Sequence, residues 1–260
     1  MLRASCAIVF SVAFAFATSG ARGAEFFTVS GGIHIEGEIV PGDAQRLADY
    51  VLATDHGERY RAFLNAVWLQ SPGGDVAEAM KIARLAERAL TFTFVEEGGI
   101  CASACFLIWS AGASRFMDSK SKLGVHRLSL AGSSLDVRQS ERAVVPAAET
   151  IGVFLAGAGI PRQVIDKMNE TPSSSIFWVT TSWVRKQGIV PAMGERASFL
   201  DVAEKTCGVS PFHSAVEVNK DLDMDAAQKW SLCSRDVRAA NQRMRGDEIR
   251  NALVAARAPR

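Results

Sequence analysis

An α/β fold with a mostly parallel sheet is predicted for this chain by three observations. Short apolar strand patterns alternate with amphipathic helix patterns from Gly31 to Val190. The breaks between them carry glycine and proline, most visibly in Ser71-Pro72-Gly73-Gly74. The 260 residues are 48% hydrophobic and 22% charged, which supports one sizeable core but is too short for two full domains.

The elements follow in order. Gly31 to Val40 alternates and reads as a strand, and Leu47, Tyr50, Val51 and Leu52 fall at helical spacing within Gly42 to Asp55. Ala62 to Ser71 reads as a buried strand stopped by Pro72. Asp75 or Gly74 then caps a helix whose apolar side holds Val76, Met80, Ile82, Ala83 and Leu85. Leu90 to Glu97 alternates as another strand. Gly98 to Ala113 is nearly all apolar and too long for a strand, which predicts a buried helix. Ser114 to Leu130 holds two short strands around a turn. Glu141 to Ile160 and Pro161 to Glu170 are helical, and Phe177 to Val190 reads as a helix running into a strand. From Asp201 the chain turns polar, and residues 201–260 are expected to form a cysteine-containing extension, partly helical or disordered, with an exposed helix fraying at its end. Asp221 to Asp225 is not a calcium loop, because Ala226 and Leu232 stand where an EF-hand needs Gly and Glu.

Residues 1–23 read as a signal peptide. Arg3 is followed by the apolar run Cys6 to Ala17, too short to stay in a bilayer, and then by small residues that favour cleavage after Ala21 or Gly23. The mature chain, 24–200 plus the extension, is expected to be exported and periplasmic or secreted. It keeps 27 basic against 28 acidic residues. The net charge is therefore near zero and no Lys/Arg run exceeds two residues, so a nucleic-acid partner is not expected. Export also sets the chemistry of the cysteines left after cleavage, Cys101, Cys105, Cys207 and Cys233. In an oxidising compartment they favour disulfides, with Cys207–Cys233 and Cys101–Cys105 the preferred pairs among three connectivities. No His-x-His or Cys-x-x-Cys spacing supports a metal site. No cofactor is expected.

Three segments carry chemistry together. Pro72-Gly73-Gly74 follows a strand, Ser103 sits between two alanines at the start of a buried helix, and His126 ends a strand. A serine so placed has a free hydroxyl and small neighbours, and a histidine is its usual proton acceptor. The amides of Gly74 and Ala104 are candidates for an oxyanion hole, which would explain why two glycines are needed at that junction. His34, His56 and His213 have no partners at ligand spacing.

Order and spacing here resemble the Clp-protease/crotonase superfamily, most closely the proteolytic subunit of the Clp protease. There a strand ends in Ser-Pro-Gly-Gly, and a helix and a strand lead to Ala-Ser-x-Gly-Ala. A Met-Ile-His-Gln segment follows about two dozen residues later. This chain shows Ser71-Pro72-Gly73-Gly74, Ser103 thirty residues past Gly73, and His126, and the likeness spans roughly Ile33 to Val190. It implies a Clp/crotonase-like spiral of β-β-α units, Ser103 as nucleophile, His126 as general base, and Gly74 and Ala104 as oxyanion donors.

The family's orienting aspartate has no counterpart in Asn169 to Trp178, leaving Glu170 and Asp166, or more weakly a serine hydroxyl of that segment, as candidates for the third member. The cysteines flanking Ser103 are foreign to the Clp subunit. Signal-peptide peptidases of the superfamily use a Ser-Lys dyad, which brings in Lys120 and Lys122, but His126 stands where the Clp pattern puts its base.

The expected function is an exported serine hydrolase, a peptidase acting on peptides or polypeptides through an acyl-enzyme. No ATPase partner is expected outside the cytoplasm, and self-assembly into a trimer or larger ring fits the superfamily. The alternative is a catalytically inactive Clp-fold binding or scaffold protein of the cell envelope. A crotonase-like thioester enzyme ranks last, because it leaves the Ser/His pair unexplained.

Overall fold

The computed structural model describes residues 23–53, 57–128, 137–189, 193, 194, 196–211 and 223–257. The expected signal peptide, His56 and His213 lie outside them.

Among the described residues, eight strands form two sheets: β1 (Glu25–Val29), β2 (Gly32–Glu36), β3 (Ala66–Gln70), β4 (Phe92–Val95), β5 (Ile100–Ala102), β6 (Arg115–Met117), β7 (Lys122–Val125) and β8 (Phe177–Val179). The larger sheet has the order β1-β2-β3-β4-β6 and the smaller β5-β7-β8. All pairs are parallel except the hairpin β1–β2 and the edge pair β7–β8. The fold is mixed α/β with a mostly parallel sheet.

The order of elements explains the two sheets. The chain makes a strand in the large sheet, a short extended segment beside it, and then a helix, four times over. The helices closing these units are α1 (Asp43–Leu52), followed by α2 (Glu58–Asn65), then α3 (Val76–Ala89), α4 (Ala104–Ser110) and α5 (Val137–Gly157). The second segments of successive units lie side by side: Ile39 bridges Gly74, Ser71 bridges Cys101, and Cys101 pairs with Leu123, all parallel. Each unit therefore delivers the end of its second segment to the same edge, where Gly74, Ser103 and His126 emerge.

Burial follows strand alternation. Ile33, Ile35, Val67 and Leu69 are buried on the helix side of the large sheet. The opposite side carries an aromatic ladder in register, Phe27, His34, Trp68, Phe94 and Phe116, with ring centroids 4.2–5.8 Å apart.

Several local expectations change. Ala62 to Asn65 end α2 instead of starting a strand, and Gly98 to Ala113 splits into β5 and α4. The closing segment runs strand then helix, β8 before α7 (Thr181–Lys186), and not the reverse. The remaining helices are α6 (Arg162–Glu170), α8 (Ala197–Cys207), α9 (Met224–Met244) and α10 (Gly246–Arg257). Asp223 caps α9, its side chain accepting from the Asp225 and Ala226 amides.

The last residues are not a fraying helix: Ile249 and Leu253 of α10 are buried in the main core. On α9, Arg238 donates to the Leu64 and Asn65 carbonyls that end α2, while Gln242 donates to Leu64 and to Ala89 at the end of α3. These side chains satisfy helix-terminal carbonyls that would otherwise lack partners. Burial, and secondarily Arg235, lowers the Arg238 pKa to about 10, still a cation at neutral pH. Both preferred disulfides are formed, Cys101–Cys105 and Cys207–Cys233.

Candidate active site

Ser103 is the turning point between β5 and α4. Its backbone has φ 54° and ψ −123°, the conformation of the first central residue of a type II′ turn, which belongs to glycine. Holding a serine there costs about 1–3 kcal/mol, and such residues gather at functional sites. The Ser103 N–H donates to the Gly124 carbonyl and its own carbonyl accepts from Phe106, so the bend is fixed at both ends. From Cys101 to Arg115 every residue is buried except Ser103, which is half-exposed. A serine before a helix normally spends its hydroxyl on the first turn. This one makes no such bond, and its hydroxyl has no partner among the described residues.

The two glycines have separate reasons. Gly73 has φ 103°, and a Cβ on it would stand 2.6 Å from the Ala102 carbonyl oxygen and 2.7 Å from the Ser103 Cβ. Gly74 has φ 136°, and a Cβ there would meet the Ile39 oxygen at 2.1 Å. Ile39 donates to the Gly73 carbonyl and accepts from the Asp75 amide. In a parallel pairing those bonds flank Gly74, whose own N–H is directed away from Ile39. The Gly73 amide is taken by the Ser71 hydroxyl at 3.1 Å. Among the described residues, the Gly74 and Ala104 amides have no acceptor.

This segment is anchored from the buried side. The Asp43 carboxylate accepts from the Ala24 and Val40 amides at 3.1 and 2.9 Å and from Arg46 Nε at 3.0 Å. Val40 adjoins Ile39, so a buried carboxylate holds the strand that holds Gly73 and Gly74.

His126 lies just past β7 and is half-buried. Its Nδ1 is 2.9 Å from the Arg127 carbonyl oxygen. A carbonyl can only accept, so Nδ1 is the donor in this contact, and in the neutral ring that leaves the lone pair on Nε2, the tautomer a general base needs. Arg127 is itself fixed, its N–H donating to the Thr171 carbonyl at 2.9 Å. A backbone carbonyl thus occupies the position that an orienting carboxylate would fill.

Gly74, Ser103, Ala104 and His126 all border one cavity of about 290 Å³. Its apolar wall includes Val76, Leu107, Leu128, Ile151 and Met168, and among the described residues no carboxylate, lysine or arginine lines it. The candidate third members lie elsewhere: Glu170 pairs with Lys167 at 2.7 Å and Asp166 with Arg162 at 2.9 Å, both partly exposed. Lys120 pairs with Glu97, Lys122 lies over the Trp178 ring, and neither borders the cavity. Asn169 and Ser173 do border it. Ser173 is among the hydroxyls the sequence offers as a weaker orienting group, whereas Asn169 drew no attention because an acid was sought in that segment. A wider groove of about 600 Å³ between α2 and α9 holds Arg61, Arg235 and Arg238, and none of Ser103, His126 and Gly74 borders it.

Such a cavity can host an acyl group beside a hydroxyl, an imidazole and two unengaged amides. Among the described residues, no three His, Cys, Asp or Glu side chains are grouped to hold a metal, and no helix is long and apolar enough to cross a membrane.

No family model matches the chain, and no curated relative does. Among solved structures, it is similar to a serine-to-alanine mutant of the 1510-N membrane-bound stomatin-specific protease. That match has 17% identity and a TM-score of 0.45, covering 60% of this chain and 74% of the other. It is also similar to ClpP1 from Listeria monocytogenes and to an asparagine-to-aspartate mutant of that protein. Each has 19% identity and a TM-score of 0.45, covering 60% of this chain and 86% of the other. The solved structures that this chain is similar to are thus Clp-like proteases and a stomatin-specific protease.

Proposed function

We propose that this protein is an exported serine peptidase of Clp-like type, acting through Ser103 and His126. The observation that carries the reading is the Ser103 backbone, held in a glycine conformation at the mouth of a cavity shared with His126. In the proposed reaction His126 Nε2 takes the Ser103 proton as Oγ attacks a peptide carbonyl. The Gly74 and Ala104 amides receive the resulting oxyanion. His126 then protonates the leaving amine, and water hydrolyses the acyl-enzyme by the same steps in reverse. The Arg127 carbonyl keeps the imidazole in the useful tautomer, more weakly than a carboxylate stabilises the imidazolium. A low turnover is therefore part of the reading. The apolar wall favours peptides that present an apolar side chain beside the cleaved bond.

Self-association into a trimer or larger ring belongs to the same proposal. A parallel sheet usually has both faces covered, and the ladder side here leaves Phe116 45% exposed. A second reading, an inactive binding or scaffold protein of the cell envelope, draws on the absence of a carboxylate among the described residues of the cavity wall.

Mature protein incubated with a fluorogenic peptide library tests the choice. Cleavage that disappears in both Ser103→Ala and His126→Ala is expected. Peptides that bind the cavity but stay intact would favour the second reading.

A further inference from the structure

The Cys101–Cys105 disulfide encloses Ser103 symmetrically, two residues to either side, and both cysteines are fully buried. Cys101 is the fixed end of the bridge. It pairs in parallel with Ser71 on one side and Leu123 on the other, in the row of segments that leads to Gly74 and His126. Cys105 lies in the first turn of α4, beside Ala104, one of the two unengaged amides. The bond therefore joins the strand row to the helix across Ser103, a residue at positive φ, with Cα atoms 5.2 Å apart. Ser103 is otherwise held by a single hydrogen bond from its N–H, one to its carbonyl, and the packing of Gly73. Such a conformation persists only where its surroundings over-determine it.

We infer that Cys101 and Cys105 are positioning residues for Ser103: the disulfide between them holds the serine and the Ala104 amide in reactive register, and the dithiol chain is unreactive at the same residue. This rests on Ser103 being the nucleophile. Closing the bond takes two protons and two electrons from the two thiols and passes them to a disulfide oxidant, which leaves as two thiols. Because both sulfurs are buried, thiols in solution have no path to the closed bond. The bond is set as the chain folds and then kept, so reactivity is acquired where folding occurs under oxidising conditions. A chain folded under reducing conditions stays silent. Cys207–Cys233 supplies an internal control, since it joins α8 to α9 and neither helix borders the cavity.

The test compares C101A/C105A with C207A/C233A in the full chain. A tagged alkyl fluorophosphonate is used over a range of concentrations, so that probe affinity and maximal labelling rate are separated, and thermal unfolding is recorded alongside. The expected result is a folded C101A/C105A with unchanged probe affinity and a maximal rate lower by about tenfold or more. C207A/C233A should label at the wild-type rate despite a lower midpoint. Labelling of C101A/C105A at the wild-type rate overturns the inference, and so does an equal loss in C207A/C233A. Failure of both C101A/C105A and C101V/C105A to fold assigns the bond to global folding and overturns it as well.

If the wild type itself does not label, the nucleophile reading fails separately. The positioning claim is then decided by amide hydrogen exchange at Ser103 and Phe106, the hydrogen-bonded amides of this turn, which should quicken locally by about tenfold or more in C101A/C105A. Unchanged exchange there overturns it.

Discussion

Gly73 packs against Ser103 so closely that a methyl group on Gly73 would stand 2.7 Å from the Ser103 Cβ. The glycine belongs to the second β-β-α unit and the serine to the third, so each unit shapes the residue that the next one delivers. Gly73→Ala must displace either the Ala102–Ala104 backbone or its own segment, and it also places an L side chain at φ 103°. The expected outcome is a loss of about 2–4 kcal/mol in stability by urea unfolding. Fluorophosphonate labelling should fall by about a hundredfold or more at temperatures where the variant is still folded.

The strain at Ser103 can be measured directly. Ser103→Gly should relieve the positive φ, whereas Ser103→Ala keeps it. After the extra freedom glycine gains in the unfolded chain is subtracted, Ser103→Gly should be the more stable of the two by about 1 kcal/mol. Both should be unreactive. Equal stability of the two variants would mean that the elbow is not strained.

Asp43 is fully buried and holds three partners, Ala24, Val40 and Arg46. Asp43→Ala strands buried donors and the Arg46 charge, and should cost about 3–5 kcal/mol. Asp43→Asn keeps the shape but loses the ion pair and should cost less. Because Val40 adjoins the strand that fixes Gly73 and Gly74, labelling of Ser103 in Asp43→Asn should slow while the protein remains folded. Labelling at the wild-type rate would sever the link between this anchor and the site.

Glu78 sets an acid limit. Burial pushes its carboxyl up, but hydrogen bonds from Lys81 and from the Ala44 and Gly42 amides outweigh it and hold the pKa below the ordinary value. A carboxyl depressed in the folded state contributes stability that is fully present above its unfolded pKa of about 4.3. That contribution is lost as pH falls through the folded value. Stability measured across pH 2–6, a window about the unfolded value, should therefore fall less steeply in Glu78→Gln than in the wild type. Identical slopes would remove Glu78 from the account.

How much of this was legible in the sequence follows from what leaves a residue-level signature. Gly73-Gly74 showed because only glycine tolerates that backbone and that contact, and Ser103 showed through the order and spacing of three segments rather than through the serine itself. Gly74 and Ser103 lie on the same cavity as His126. β5 stayed hidden inside Gly98 to Ala113 because a three-residue strand buried on both faces has no alternation to distinguish it from the apolar helix that follows. The start of β3 was misplaced for a similar reason, since Ala62 and Phe63 are buried in α2 just as a strand residue would be. The Arg127 carbonyl beside His126 could not be read at all, because every residue has a carbonyl and only the fold aims this one.

The measurement that tests the central claim most directly is fluorophosphonate labelling of the purified mature protein, with the modified peptide mapped by mass spectrometry and His126→Ala as control. The account predicts a single adduct on Ser103 that is lost in the control. A folded, fully oxidised protein that takes up no probe, or takes it up equally without His126, would contradict it.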